Sequence, residues 1–176
     1  TVVGGFSTAD PEVGDTSAYT LASGTGSTDN AGFTIVGNQL KTAAVFDYET
    51  KPSYSIRVRT TDAGGLSFEE AFTINVTDVN DNAPLITTAA SQSVPENTLL
   101  TAALTSTDVD TVGTIPATFT ITGGADAALF DIVGGNLVFK TAKDYETDAH
   151  SYAVQVTAFD GANSTAKTIT VGLTDV

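Results

Sequence analysis

The chain has 176 residues, 7 Lys+Arg against 21 Asp+Glu, and a formal net charge of −14. That balance argues against nucleic acid and anionic membrane surfaces as partners, since both need a basic patch. The lack of Cys excludes disulfides and thiol chemistry, while 41% hydrophobic residues suffice for a packed core.

In chain order, short strands are predicted at 2–7, 19–22, 33–36, 39–43, 53–61 and 68–76. Tyr54, Ile56 and Val58 alternate with Ser55, Arg57 and Arg59. Phe72, Ile74 and Val76 alternate in the same way with Thr73, Asn75 and Thr77. A period of two turns one face to a core and the other to water. Next comes Asp78-Val79-Asn80-Asp81-Asn82-Ala83-Pro84, an oxygen-rich joint whose proline stiffens the exit. Carboxylate, carboxamide and carbonyl oxygens suit a hard cation such as calcium, and a soft metal would want Cys or His. The stretch is not an EF-hand loop, because counting from Asp78 the required Gly and Glu are replaced by Ala83 and Ala89.

Past the joint, Val94-Pro95-Glu96-Asn97 reads as an edge strand, where proline is tolerated. Tyr152, Val154 and Val156, then Ile169, Val171 and Leu173, repeat the period of two. No stretch reads as a long amphipathic helix, and no apolar run reaches membrane-spanning length. No signal peptide is evident, and the pattern begins and ends within a repeat, as expected of an interior stretch of a longer chain.

The chain repeats itself. Asp47-Tyr48-Glu49 recurs 97 residues on as Asp144-Tyr145-Glu146, and Thr77-Asp78-Val79 as Thr174-Asp175-Val176. Phe33-Thr34-Ile35-Val36 recurs as Phe130-Asp131-Ile132-Val133. The expected division is one β domain over 1–82, including the joint, and a second over 83–176. The expected class is all-β, two tandem antiparallel sandwiches.

The ordered acidic signatures carry a resemblance. Pro95-Glu96-Asn97, Asp108-Val109-Asp110, Asp144-Tyr145-Glu146 and Asp160 accompany the joint, and the first half has Asp10-Pro11-Glu12, Asp47-Tyr48-Glu49 and Asp62. Together they resemble the cadherin repeat over almost the whole chain, in a Cys-free, Thr/Ala/Gly-rich style similar to bacterial cadherin-like surface proteins. The resemblance implies seven-stranded, immunoglobulin-like Greek-key sandwiches with calcium bound at each junction, the first lacking its N-terminal strand. The implied ligands of the central junction are Asp47, Glu49, Asp78, the Val79 carbonyl, Asn80, Asp81, Asn82, Asp108, Asp110 and Asp160. Asp10, Glu12 and Asp62 would serve a preceding junction, and Glu96, Asp144, Glu146 and Asp175 a following one. Two departures stand out. Glu12 replaces the usual Asp, and the first repeat has no counterpart of Glu96. The absence of Trp argues against adhesion by docking an N-terminal Trp.

The implied function is a calcium-braced adhesion module of a large extracellular, cell-surface or secreted protein. Its partners would be calcium, neighbouring repeats, homophilic contacts or cell-surface polysaccharide, with no membrane insertion by this stretch. The alternatives are a carbohydrate-binding module, for which no exposed aromatic platform is evident, and a passive spacer. An enzyme is not expected. His150 is the only His, it lies in a loop, and the repeated acidic pairs suit structure better than catalysis.

Overall fold

The computed structural model describes residues 1–9 and 16–176, so Asp10 and Glu12 lie outside the described residues. It is all-β. The chain divides into two compact units, Thr1–Asp78 and Val79–Val176. No helix of the described residues is long and apolar enough to cross a membrane.

In the first unit, β1 (Val2–Gly5), β4 (Gln39–Thr42) and β3 (Phe33–Val36) form one antiparallel sheet in the order β1-β4-β3. The second sheet is β2 (Ala18–Leu21), β5 (Ser53–Thr61) and β6 (Ser67–Asn75), in that order. The alternation in β5 puts Ile56 and Val58 inside, where they meet Phe33 and Leu40 from the other sheet. A ring of half-buried aromatics closes this core, with Phe46 stacked on Tyr54 at 4.1 Å and Phe6 on Tyr19 at 5.3 Å. Each ring buries a large apolar area at little entropic cost.

The second unit has nine strands among its described residues. A four-stranded sheet runs β11 (Thr118–Gly123), β14 (Ser151–Phe159), β15 (Ser164–Thr174) and β8 (Ser91–Pro95). A three-stranded sheet runs β12 (Phe130–Val133), β13 (Asn136–Phe139) and β9 (Leu100–Ala103). Two short strands, β7 (Leu85–Ile86) and β10 (Ser106–Thr107), pair separately. β8 is the edge strand and runs parallel to β15, so Pro95 needs to supply no inner ladder hydrogen bond. The break between β7 and β8 is held by Thr88, whose Oγ1 accepts from the Thr105 amide at 2.8 Å and donates to the Ala103 carbonyl at 3.2 Å.

Alternation in β14 is complete, with Tyr152, Val154, Val156 and Ala158 inward. They pack with Ile169, Val171 and Leu173 of β15 and with Phe130, Leu137 and Phe139 of the facing sheet. Phe130 stacks on Phe139 at 4.5 Å, and Tyr152 meets Phe139 edge-on at 5.0 Å. Two features lie outside the sequence reading. Register shifts interrupt the pairing of β9 with β13 and of β1 with β4. Single 3₁₀ turns precede β3 and β12, at Asn30–Gly32 and Ala127–Leu129.

Candidate metal sites

The segment at the head of the second unit folds onto that unit's own loops. The Asn82 amide N–H donates to Asp110 Oδ2 at 2.9 Å, and its side-chain Nδ2 donates to Asp110 Oδ1 at 2.8 Å and Asp81 Oδ1 at 2.9 Å. Asp110 is buried, and its own amide donates to Asp108 Oδ1 at 3.2 Å. Asn80 Nδ2 donates to Asp160 Oδ1 at 3.2 Å, while Asn163 Nδ2 donates to the Asn80 carbonyl at 3.2 Å. The structure therefore gathers the predicted residues at the head of the second unit in two hydrogen-bonded groups, Asp81, Asn82, Asp108 and Asp110 in one and Asn80 and Asp160 in the other. Val79 is exposed.

Asp160 is the anchor of this head, with only 1% of its surface exposed. Oδ1 accepts from the amides of Ala162 at 2.8 Å and Asn163 at 2.7 Å, a tight turn closed by its own side chain. Burial opposes its ionisation, but those two amides and Asn80 outweigh burial and hold the carboxyl below its usual range. Oδ2 of Asp160 and Oδ2 of Asp108 are buried with no hydrogen-bond partner among the described residues. Buried carboxylate oxygens without donors are costly, and an oxygen-seeking cation would satisfy them. Gly113 makes the close packing possible. It has φ +98°, and a Cβ there would sit 2.3 Å from Asn80 Nδ2 and 3.0 Å from the Asp160 carbonyl.

At another place in the same unit, Glu96, Asp144 and Glu146 offer carboxylate oxygens all within 4.8 Å of one another. Glu96 is buried, and its two oxygens accept from the amides of Tyr145 at 2.9 Å and Val176 at 3.3 Å. The Glu146 amide donates to Asp144 Oδ1 at 2.9 Å. A backbone N–H favours ionised Glu146, but hydrogen bonding with Asp144, the charges of Glu96 and Asp175, and burial together raise its pKa. Asp175 thus acts on the same group. His150 is exposed, stacks on Tyr145 at 3.9 Å and meets the Tyr145 carbonyl through Nε2 at 2.7 Å.

The first unit has the matching set. Glu49 and Asp78 offer oxygens within 4.8 Å of each other. A backbone N–H favours ionised Glu49, yet burial, hydrogen bonding with Asp78 and Asp47, and the Asp78 charge push its pKa up to about 7. Asp47 goes the other way, held low by the Thr50 amide at 3.1 Å and hydroxyl at 2.9 Å. Asp62 closes a turn by accepting the Leu66 amide at 2.8 Å, and it joins no cluster of acidic groups among the described residues.

Asn163, Gly113 and the amides of Tyr145 and Val176 are parts of these sites that sequence reasoning missed. Asn163 carried a signal, lying three residues beyond Asp160, where Asx turns recruit a second amide. The aromatics offer no support for a sugar platform at Tyr54 or Tyr152, because Tyr54 stacks on Phe46 and Tyr152 is buried.

No family model matches the chain. It is 35% identical over 150 residues to Protocadherin-11 X-linked of Homo sapiens, covering 82% of this chain and 10% of that protein. It is 32% identical over 147 residues to Protein dachsous of Drosophila melanogaster, covering 77% of this chain and 4% of that protein. The chain thus spans a small part of the curated relatives it matches. Among solved structures, the human desmocollin-1 ectodomain superposes with a TM-score of 0.77 at 22% identity, covering all of this chain and 38% of that one. Chicken VE-cadherin EC1-2 gives 0.67 at 24% identity, covering 99% and 91%. These two structural likenesses speak to the fold alone.

Proposed function

Because the chain belongs to the cadherin repeat family, we propose that it is a calcium-binding extracellular adhesion module, and that calcium stiffens the junction between its repeats. Three carboxylates of one unit, Glu96, Asp144 and Glu146, lie within 4.8 Å of one another with Glu96 buried, and this observation carries the reading. Like charges that close raise one another's pKa and favour any cation that can be shared. The donor set is all oxygen, which fits calcium's six to eight flexible ligands better than magnesium's strict octahedron.

Under this reading, Asn80, Asn82, Asp108, Asp110 and Asp160 hold calcium on the second unit, and Asp47, Glu49 and Asp78 on the first. Asp81 and the Val79 carbonyl belong to the same set. Glu96, Asp144, Glu146 and Asp175 would serve a following repeat, and Asp62, with Asp10 and Glu12, a preceding one. The units are assigned as independent domains meeting at the joint 78–84. Bound calcium supplies positive charge that offsets carboxylate repulsion. The chain's part is to bury Asp110 and Asp160 and to lock Asn80 and Asn82 in place. Each core closes through apolar side chains, so the sandwiches should persist without metal. The module acts by binding and adhesion rather than catalysis, with neighbouring repeats and homophilic contacts as partners.

Small-angle scattering with millimolar calcium and with chelator, at constant ionic strength, tests the proposal. Calcium should narrow the distribution of maximum dimension while circular dichroism stays constant. Scattering curves that do not change with chelation would leave the acidic joint a solvated spacer. Calorimetry should show affinity of the extracellular kind, about 10⁻⁴–10⁻³ M.

A further inference from the structure

Two turns of like build join the long paired strands of the two units. In the second unit Phe159 pairs with Ser164 across the turn 160–163, and in the first Thr61 pairs with Ser67 across the turn 62–66. Both turns close in the same way. The Asn163 amide donates to Asp160 Oδ1 at 2.7 Å, and the Asp160 amide donates to the Asn163 carbonyl at 3.2 Å. In the sister turn the Leu66 amide donates to Asp62 Oδ1 at 2.8 Å, and the Asp62 amide donates to the Leu66 carbonyl at 3.0 Å. Leu66 therefore holds the place of Asn163, and it is 77% exposed. Closure uses only the main chain of this residue, so the turn itself does not call for asparagine there.

The side chain of Asn163 does something else. Its Nδ2 donates to the Asn80 carbonyl at 3.2 Å and to Asn80 Oδ1 at 3.3 Å. Asp160 holds the other end of the same carboxamide, since Asn80 Nδ2 donates to Asp160 Oδ1 at 3.2 Å and to the Asp160 carbonyl at 3.3 Å. The two ends of a carboxamide are nearly alike in shape and opposite in hydrogen bonding, so its neighbours decide which way it points. Here both ends are specified, the nitrogen by oxygens of Asp160 and the oxygen by an N–H of Asn163.

We propose that Asn163 is a positioning residue for calcium on the second unit, fixing the oxygen end of Asn80 before any cation arrives. The proposal rests on the calcium reading. An amide oxygen that accepts one hydrogen bond keeps a second lone pair for a cation, whereas the same amide turned over presents N–H groups. Outer partners of this kind typically carry about 10–100-fold of a metal site's affinity. Leucine has no polar group to donate, so the sister turn closes equally well without such a hold.

The test uses the full chain and Asn163→Leu, which installs the sister turn's residue. In chelator, NMR of the wild type should show the Asn80 side-chain amide protons as a dispersed, slowly exchanging pair. In Asn163→Leu that pair should move to the position of a free carboxamide, while the Ala162 amide keeps its protection because the turn still closes. Calcium titration followed at the Gly161 and Ala162 amides should show binding about tenfold weaker in Asn163→Leu. Asn80→Ala removes the group being positioned, so on that background Asn163→Leu should cost less than about threefold, a coupling that a double-mutant cycle isolates. An Asn80 amide unmoved by Asn163→Leu in chelator, or losses that simply add in the cycle, would overturn the proposal. Wild-type amides that calcium leaves unchanged would overturn the calcium reading and this role with it, while the chelator spectra would still show whether Asn163 holds Asn80.

Discussion

Glu49 gives the sharpest handle on the first unit. Its pKa of about 7 arises where Asp78 and Asp47 crowd it and burial weakens its hydration. The folded pKa is raised, so the metal-free unit is favoured by protonation at low pH. That contribution is lost as pH rises from the ordinary glutamate range through about 7. Calcium requires the ionised form. With a pKa of about 7, roughly one molecule in 11 has Glu49 ionised at pH 6 and about ten in 11 at pH 8. Calcium affinity at this site should therefore fall about tenfold from pH 8 to pH 6, and binding at pH 6 should release about 0.9 proton. A carboxylate with an ordinary pKa would change by only a few per cent over that range. Calorimetry in buffers of different ionisation enthalpy counts the protons directly. Glu49→Gln, which mimics the neutral acid, should bind calcium weakly and remove the proton release near neutrality. Affinity that is flat with pH, or proton release retained by Glu49→Gln, would refute the assignment.

Three more outcomes are expected. Asp160→Asn keeps an oxygen for the turn amides, so amide exchange at Ala162 and Asn163 should change little while calcium protection of the second unit is lost; Asp160→Ala should lose both. Gly113→Ala forces an L residue into left-handed backbone and drives a Cβ onto Asn80, which should cost about 1–2 kcal/mol or more in urea titration and loosen Asn80 from Asp160. Ile169→Ala, at a fully buried site, should cost the second unit about 2–5 kcal/mol, and Ile74→Ala, at the half-buried counterpart of the neighbouring Val171, less than half that. Native-state exchange of β14 and β5 amides reads the two units separately, and equal losses would deny that the first core is the more open.

The strands were legible because their signal is geometric. Tyr152, Val154 and Val156 face one core because alternation has the same period as the pleat. What was hidden depends on single residues rather than on a period. A register shift at β9 or a three-residue 3₁₀ turn leaves no alternation to read. Asp29 and Asp126 show the same limit. Each receives a β-strand amide, from Ser55 and Ala153, both at 2.8 Å, so each is a structural acceptor. Their matched spacing in the repeat was the available clue. The acidic signatures were found, but distance and burial decide which of them converge. Glu96 meets Asp144 and Glu146 only because β8 runs beside β15 and carries it there.

A net charge of −14 does not say which acids call for a cation. The structure separates two kinds. Asp29 is held low by Lys51 and the Ser55 amide, and Glu69 by Arg57 and Arg59; the protein itself supplies their counter-charge and donors. Removing metal should leave both unmoved. Glu49 and Glu146 are pushed up because much of what surrounds them is other carboxylate. A fold gains nothing in stability from such crowding, since each added negative charge makes the next harder to ionise. The same crowding becomes favourable once a shared cation enters, because every carboxylate then adds to its hold. Glu49 and Glu146 should therefore show a clear shift of titration when calcium is added, whereas Asp29 and Glu69, whose counter-charges are Lys51, Arg57 and Arg59, should not follow.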